Sequence, residues 1–388
     1  MDLRPLYLAL IIFTMSLGIL SVVVPLYSYG LGADSLAVGL IISANAIAHI
    51  LASPLWGKAS DRVGRKLSLG IGMLLSSVTV PLYPFVNDLG FLAVISFLRG
   101  LADASFWIVP WALLADLYAP QEIGQVFGKV GMIQGIGFIA GPFLGGFLVG
   151  QLDYPSIFYI SSASAFFAAL LVFFALHEKS RVLTRKSKGS SEIQLKSGAI
   201  ARKSIAIAYV DTALSGLFLG VINSHFIIHA SEILREEYLV GFLLTSYYFA
   251  ETFIQPLAGR LSDIFGRHRT ILLAFIMCAT GFLALLAPPS FVSFLIAGVI
   301  VGVGVGMLYI APSALVMDII PPSQRGLIIG FYSTVWGIGF FLGPLLGGAV
   351  AIYSVSAPYI LSTIASAIGG ILALIGSMWA HKKITLKT

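Results

Sequence analysis

Hydrophobic residues in this chain come in long runs separated by short polar stretches. Twelve of these runs reach the roughly 20 mostly apolar residues that a helix needs to cross a bilayer. They fall at about residues 5–30, 36–56, 67–86, 90–114, 124–150, 156–177, 203–229, 238–258, 270–287, 290–316, 325–351 and 356–380. The pattern predicts an all-α integral membrane protein with twelve transmembrane helices. The first run follows a single arginine, Arg4, and is too long for a signal-peptide core. No small-residue cleavage site lies near its end, so it reads as a retained helix. The C-terminus carries no prenylation or retrieval motif.

The polar stretches repeat at a constant offset of 202 residues. Gly57-Lys58-Ala59-Ser60-Asp61-Arg62-Val63-Gly64-Arg65 returns as Gly259-Arg260-Leu261-Ser262-Asp263-Ile264-Phe265-Gly266-Arg267. Gly135 to Gly146 returns as Gly337 to Gly348, and Pro54, Pro110, Asp116 and Pro120 return as Pro256, Pro312, Asp318 and Pro322. Two equal hydrophobic halves with matching glycines and loop charges are the signature of a duplicated transporter with its site between the halves. The expected division is a bundle at 1–177, a basic linker at 178–203 and a second bundle at 204–388.

Composition excludes a soluble protein. The chain is 58% hydrophobic and 10% charged, and its mean hydropathy is +0.97. With both termini on one side, every Lys and Arg except Arg235 and the intramembrane Arg99 falls on that side. The opposite loops carry Asp34, Asp88, Asp153 and Glu232. The positive-inside rule therefore predicts cytoplasmic termini and linker. This asymmetry accounts for the net charge of +6 without a nucleic-acid partner. The linker carries eight Lys/Arg and two Glu, and reads as a solvated tether or a surface helix touching anionic lipid. The one cysteine, Cys278, lies within a span, so neither a disulfide nor a cysteine metal site is expected. No nucleotide-binding loop and no hydrolase or metalloprotease motif occurs, so neither ATP-driven transport nor an integral membrane enzyme is expected. No metal or cofactor is implied, and the chain is expected to act as a monomer.

The repeated loops predict a shaped gate. Gly57, Gly64, Gly259 and Gly266 are expected at tight turns. Asp61, Arg62 and Arg65, with Asp263 and Arg267 in the repeat, supply charges. Asp61 is expected near the start of the next helix, where the dipole favours an anion. Asp116 and Asp318, at the ends of spans 4 and 10, are placed to pair with Arg65 and Arg267. Within spans 5 and 11, Gly137, Gly141, Pro142 and Gly145 recur as Gly339, Gly343, Pro344 and Gly347. Small residues four apart permit close backbone approach, and proline permits a kink. These ladders are expected to form a seam along which two bundles rock.

These motifs resemble the major facilitator superfamily over essentially the whole length of the chain. The Gly-x3-Asp-Arg-x-Gly-Arg-Lys segment at 57–66 matches that family's signature loop, and 259–269 is a degenerate copy with Ile264 in place of Arg62. The ladder at 128–146 is similar to the helix-5 motif of its drug–proton antiporter branch. The resemblance implies two six-helix bundles around a cavity lined by helices 1, 4, 7 and 10. Helices 2, 5, 8 and 11 would then meet between the halves, and 3, 6, 9 and 12 would face lipid. The chain departs from the family twice. Ser96 stands where an arginine four residues before Gly100 is expected, with Arg99 one turn away, and helix 1 has no acidic residue.

Charges inside the membrane are functional candidates, since each costs about 2.5–3.5 kcal/mol at the bilayer centre on insertion scales. Arg99 and Asp103 lie one turn apart on span 4 and can neutralise each other. Asp211 in span 7 has no ionisable neighbour on its own helix, which makes it the first candidate for exchanging protons. Its face is expected to carry Ser215, Phe218 and His225 into the cavity. Glu251 and His49, again 202 residues apart, are further candidates for proton coupling. Trp107 and its repeat partner Tyr309 fall on cavity helices by the resemblance and suit a flat hydrophobic or cationic ligand. The sequence thus predicts a secondary transporter that exports small amphiphilic molecules in exchange for protons by alternating access. The alternative is a sugar or small-metabolite importer of the same fold.

Overall fold

The computed structural model describes residues 3–118, 123–176, 199–320 and 325–385. The expected linker at 178–203 lies outside these residues as far as 198. Ala199–Lys203, expected as its end, instead forms the first turn of helix 7. Lys203 there lies 5.0 Å over the Trp379 ring.

Among the described residues the chain forms twelve long helical segments. In the first half, helix 1 is Arg4–Gly30, helix 2 is Ser35–Val63 and helix 4 is Leu89–Leu117. Helix 3, Arg65–Thr79, tightens into a 3-10 turn at Val80–Phe85, where Pro81 and Pro84 remove backbone donors. Helix 5 is Ile123–Val149, and helix 6, Tyr154–Leu170, ends in a π turn at Leu171–Ala175. In the second half, helix 7 runs from Ala199–Val221 through a π turn at Ile222–Phe226 into Ile227–Leu234. Helices 8 to 12 are Glu237–Phe265, Arg267–Ala284, Phe291–Ile319, Arg325–Ala351 and Ala357–Thr385.

Eleven of these helices are long and apolar enough to cross a membrane by length and composition. Helix 8 is the exception, because Glu251, Gln255 and several hydroxyl side chains dilute its apolar run. Its position explains the tolerance. It packs between helices 10 and 5, where polar groups need not meet lipid.

Each half has the same internal plan. Helix 1 packs on helix 5 and helix 2 on helix 4; in the second half helix 7 packs on helix 11 and helix 8 on helix 10. Helices 3 and 6, and 9 and 12, pair at the periphery and expose large apolar side chains such as Phe167, Phe174, Ile276 and Ile371. Helix 2 meets helix 11 and helix 5 meets helix 8, and these two contacts join the halves.

The ladder glycines contribute differently from the seam expected of them. A Cβ on Gly141 would stand 2.5 Å from the Met15 carbonyl, and one on Gly145 3.0 Å from that of Ile19. Gly137 faces Ile11 and Thr14. In the second half Gly339 faces Ala213, Gly343 faces Leu217 and Gly220, and Gly347 faces Val221. These residues therefore lock helix 5 onto helix 1 and helix 11 onto helix 7 within each half. Of the expected seam, Pro142 and Pro344 do meet the other half: with Gly146, the Pro142 carbonyl meets Gly241, and with Gly348, the Pro344 carbonyl meets the start of helix 2 around Gly39. Four-residue spacing identifies a close-packing face but not the helix that occupies it.

Candidate functional site

A cavity of about 280 Å³ lies between the halves, lined by helices 1, 2, 4, 5, 7, 8, 10 and 11. It reaches Trp111 and Gln255 on the side of the basic loops. There Gly57, Gly128 and Gly131 face open space. On the opposite side the halves are shut. Ala33, Val38 and Ile228 form one buried apolar cluster across the junction, and the Tyr29 hydroxyl donates to Glu232 at 3.0 Å.

Within the cavity an aromatic column crosses from one half to the other. Trp107 stacks on Phe138 with ring centroids 6.0 Å apart, and Phe138 stacks on Tyr248 at 5.3 Å. The Tyr248 hydroxyl donates to Asn223 Oδ1 at 3.0 Å, which fixes the far ring. His49 meets the edge of Trp107 at 6.4 Å. Trp107, Tyr309, Arg99 and Asp103 line the cavity on helices 4 and 10, and His49 and Glu251 join them from helices 2 and 8, which were expected only between the halves.

The intramembrane charges differ in how they are satisfied. Arg99 Nε lies 3.3 Å from Asp103 Oδ2, and Asp103 Oδ1 accepts from Ser76 Oγ at 2.7 Å. The guanidinium also sits 5.9 Å over the Tyr83 ring. The two charges neutralise each other, although Arg99 Nε and Nη1 make no hydrogen bond. Glu251 is not neutralised in this way: its Oε2 has no hydrogen-bond partner, and the Tyr247 hydroxyl is the polar group beside it. His49 Nδ1 also lacks a partner. An unpaired polar atom away from water is costly unless something else supplies the missing bond.

Asp211 is fully buried and neither carboxyl oxygen has a hydrogen-bond partner. It does not line the cavity but neighbours Tyr332, which does. Its face also departs from the expectation. Ser215 donates to the Thr212 carbonyl, and Phe218 packs on Phe275 and Phe282 of helix 9. His225 bonds the Val355 carbonyl at 2.7 Å, near the closed side. Helix 7 presents Leu219 and Asn223 to the cavity instead. The π turn at Ile222–Phe226 adds a residue to the turn, so a constant 3.6-residue face drawn from Asp211 fails beyond it.

The repeated loops are built on positive-φ glycines, Gly64 at φ 110° and Gly266 at φ 93°. Gly57 and Gly259 instead lie within helices 2 and 8, not at turns. Asp61 closes helix 2 rather than opening helix 3, so the dipole does not favour it; Arg65 does, at 2.7 Å. Arg65 also holds Asp116 at 2.8 Å and Ser60 at 2.5 Å. Arg267 repeats the arrangement with Asp263 at 2.6 Å, Asp318 at 2.8 Å and Ser262 at 2.9 Å. Arg62 is exposed. Each network ties its loop to helix 4 or helix 10 of its own half.

Phe138 and Phe340, Gln134 and Trp336 also line the cavity, and each pair is 202 residues apart. The repeat itself pointed to them, since all four lie in or beside the duplicated ladder. Asn45, Asn223 and Tyr332 carry no such signal.

Two pseudo-symmetric helical bundles around a central cavity, with charges buried at mid-depth, define a membrane carrier. The chain belongs to the Major Facilitator Superfamily, whose description matches residues 6–219 and 203–382. It is 26% identical to multidrug resistance protein 1 of Bacillus subtilis over 381 residues, covering 96% of each chain. It is 22% identical to quinolone resistance protein NorA of Staphylococcus aureus over 386 residues, covering 95% of each. An uncharacterised MFS-type transporter of Methanocaldococcus jannaschii is 25% identical over 370 residues, with 93% of this chain and 95% of that one covered. Among solved structures, the nucleoside transporter NupG superposes with a TM-score of 0.75 at 17% identity, covering 98% of this chain and 99% of that one. The human organic anion transporter MFSD10 superposes with a TM-score of 0.68 at 16% identity, covering 96% and 98%.

Proposed function

We propose that this protein exports small amphiphilic, drug-like molecules across the cell membrane in exchange for protons. The observation that carries the reading is the Trp107–Phe138–Tyr248 column beside Glu251, whose Oε2 has no hydrogen-bond partner, in a cavity open on one side only. Stacked rings take a flat apolar ligand, and a carboxylate with no cation paired to it takes the ligand's positive charge or a proton, but not both at once. That exclusion is the simplest form of antiport. Full-length similarity to a multidrug resistance protein and a quinolone resistance protein supports it.

Asp211 is the second proton carrier in this reading. It has no partner to hold its charge, and it lies behind Tyr332 rather than in contact with the ligand. Protonation there biases the packing of helix 7 on helix 11 without competing for substrate. His49, at the position equivalent to Glu251, responds on the other half, while Arg99 and Asp103 hold helix 4 in place as a neutral pair. The Arg65 and Arg267 networks keep each half rigid as it rocks. The open side faces the cytoplasm with both termini, and the chain works as a monomer.

Everted membrane vesicles made acid inside provide the test. Lipophilic cations and neutral drugs are added while lumenal pH is followed, with Asp211→Asn and Glu251→Gln for comparison. Compound-dependent proton release that either substitution abolishes supports antiport. No response to any compound, together with uptake of sugars or other metabolites down their own gradients, replaces the reading with an importer.

A further inference from the structure

The two crossings between the halves carry different side chains at equivalent places. Gln134, Phe138 and Glu251 on helices 5 and 8 correspond through the 202-residue repeat to Trp336, Phe340 and His49 on helices 11 and 2. All six line the cavity. On the helix 2 and 11 side Trp336 stacks on Phe340, with ring centroids 5.4 Å apart. On the helix 5 and 8 side an amide stands where that indole would be.

The amide and the carboxylate share a level. A Cβ on Gly135 would stand 2.5 Å from Thr252 Cγ2, so helices 5 and 8 touch where Gln134 and Glu251 each lie one residue away. Gln134 is one turn from Phe138, and Glu251 about one turn from Tyr248, both toward the basic loops. Both polar groups therefore sit one turn below the aromatic column, on neighbouring helices.

The cavity's amides differ in how they are held. Asn45 Nδ2 donates to the Ser96 carbonyl at 3.2 Å, and Asn223 Nδ2 to the Leu219 carbonyl at 3.0 Å. Gln134 is 6% exposed, yet its Nε2 has no hydrogen-bond partner. That nitrogen is a donor, whereas ionised Glu251 only accepts. A ligand stacked on Phe138 with an oxygen on its edge supplies the acceptor that the amide lacks.

We propose that Gln134 sets the specificity of this cavity by donating to a carbonyl oxygen of the substrate while Glu251 faces the substrate's positive charge. This role rests on the export function proposed above, and it narrows the substrates to flat cations that also carry a hydrogen-bond acceptor. A cation of the same shape without the oxygen leaves a buried donor unpaired in the complex, which polar sites reject more strongly than apolar walls reject a change of shape. The rings and Glu251 do not make this distinction. An aromatic face takes any flat ring system, and a carboxylate takes any cation.

The test is fluorescence titration of the purified chain in detergent with a shape-matched pair of probes, 2-acetyl-10-methylacridinium and 2-isopropyl-10-methylacridinium. They share rings and charge and differ in the carbonyl. The ratio of acetyl to isopropyl affinity is expected to fall about tenfold in Gln134→Leu and again in Gln134→Met, each compared with the native protein. Both variants should keep the native melting temperature, because the Nε2 donor has no bond within the protein to lose. Glu251→Gln should weaken both probes and leave their ratio unchanged. A ratio that stays within about twofold of native in both Gln134 variants overturns the proposal, and export stands because both cations still bind. A ratio that collapses in Glu251→Gln alone also overturns it. If neither cation binds the native protein, export of such molecules fails and the role of Gln134 fails with it.

Discussion

Gly39 and Gly241, 202 residues apart, hold equivalent places where one half crosses the other. Gly39 lies against the Pro344 carbonyl, and a Cβ on Gly241 would stand 2.5 Å from the Pro142 carbonyl. Both contacts lie on the closed side of the molecule. Two small residues thus set how closely the halves can approach there, and a side chain at either must part them.

Gly39→Val and Gly241→Val are therefore expected to favour the state open on the far side. Overpacking of about 1–3 kcal/mol shifts a two-state balance by roughly 5- to 150-fold. A cysteine at Val24, which lines the cavity, reports the shift through its rate of alkylation from that side. Native Cys278 is buried and stays silent. Unchanged Val24→Cys labelling in both glycine variants would sink the idea.

Gly64 and Gly57 should respond oppositely. Gly64→Ala forces a side chain into positive φ and costs about 1–2 kcal/mol, read as a lower melting temperature in detergent. Gly57 is helical with nothing within 4 Å of its Cβ position, so Gly57→Ala should be neutral or stabilising by up to about 1 kcal/mol.

The Arg99 and Asp103 pair is best read by comparing single with double replacement. Arg99→Leu strands a buried carboxylate at a cost of about 3–5 kcal/mol, whereas Arg99→Leu with Asp103→Leu should recover most of that stability. A double variant as unstable as the single would show that the two groups do not neutralise each other.

Asp211→Asn is expected to keep the melting temperature or raise it, because the carboxyl has no partner to lose. Compound-driven proton release should nevertheless disappear. A large loss of stability would assign Asp211 a structural bond instead.

Trp107→Ala should weaken ligand binding by about tenfold, corresponding to about 0.5–1.5 kcal/mol of ring contact plus lost area. Phe218→Leu, which faces helix 9, should leave affinity within about twofold. Fluorescence titration of the purified protein separates the two outcomes.

Much of this protein was legible in its sequence because the signals are local. The span count follows from run length against bilayer thickness, and the two-half plan follows from the 202-residue repeat. The Arg65–Asp116 and Arg267–Asp318 pairs follow from charges at matching loop ends. Trp107 and Tyr309 reach the cavity on helices 4 and 10, as the family resemblance implies, whereas His49 and Glu251 reach it from helices expected only to join the halves.

The tertiary structure decided which neighbour each face meets. A period of four identified Gly137, Gly141 and Gly145 as one packing face, but helix 1 rather than the other half fills it. Phe218 turned away because helix 9 offers Phe275 and Phe282 to pack against, Ser215 bonds its own helix at Thr212, and His225 lies in a π turn that no residue type announces. In lipid, every face of a spanning helix can be apolar, so hydropathy places a helix in the membrane without orienting it. Only packing against partners distant in sequence supplies the orientation.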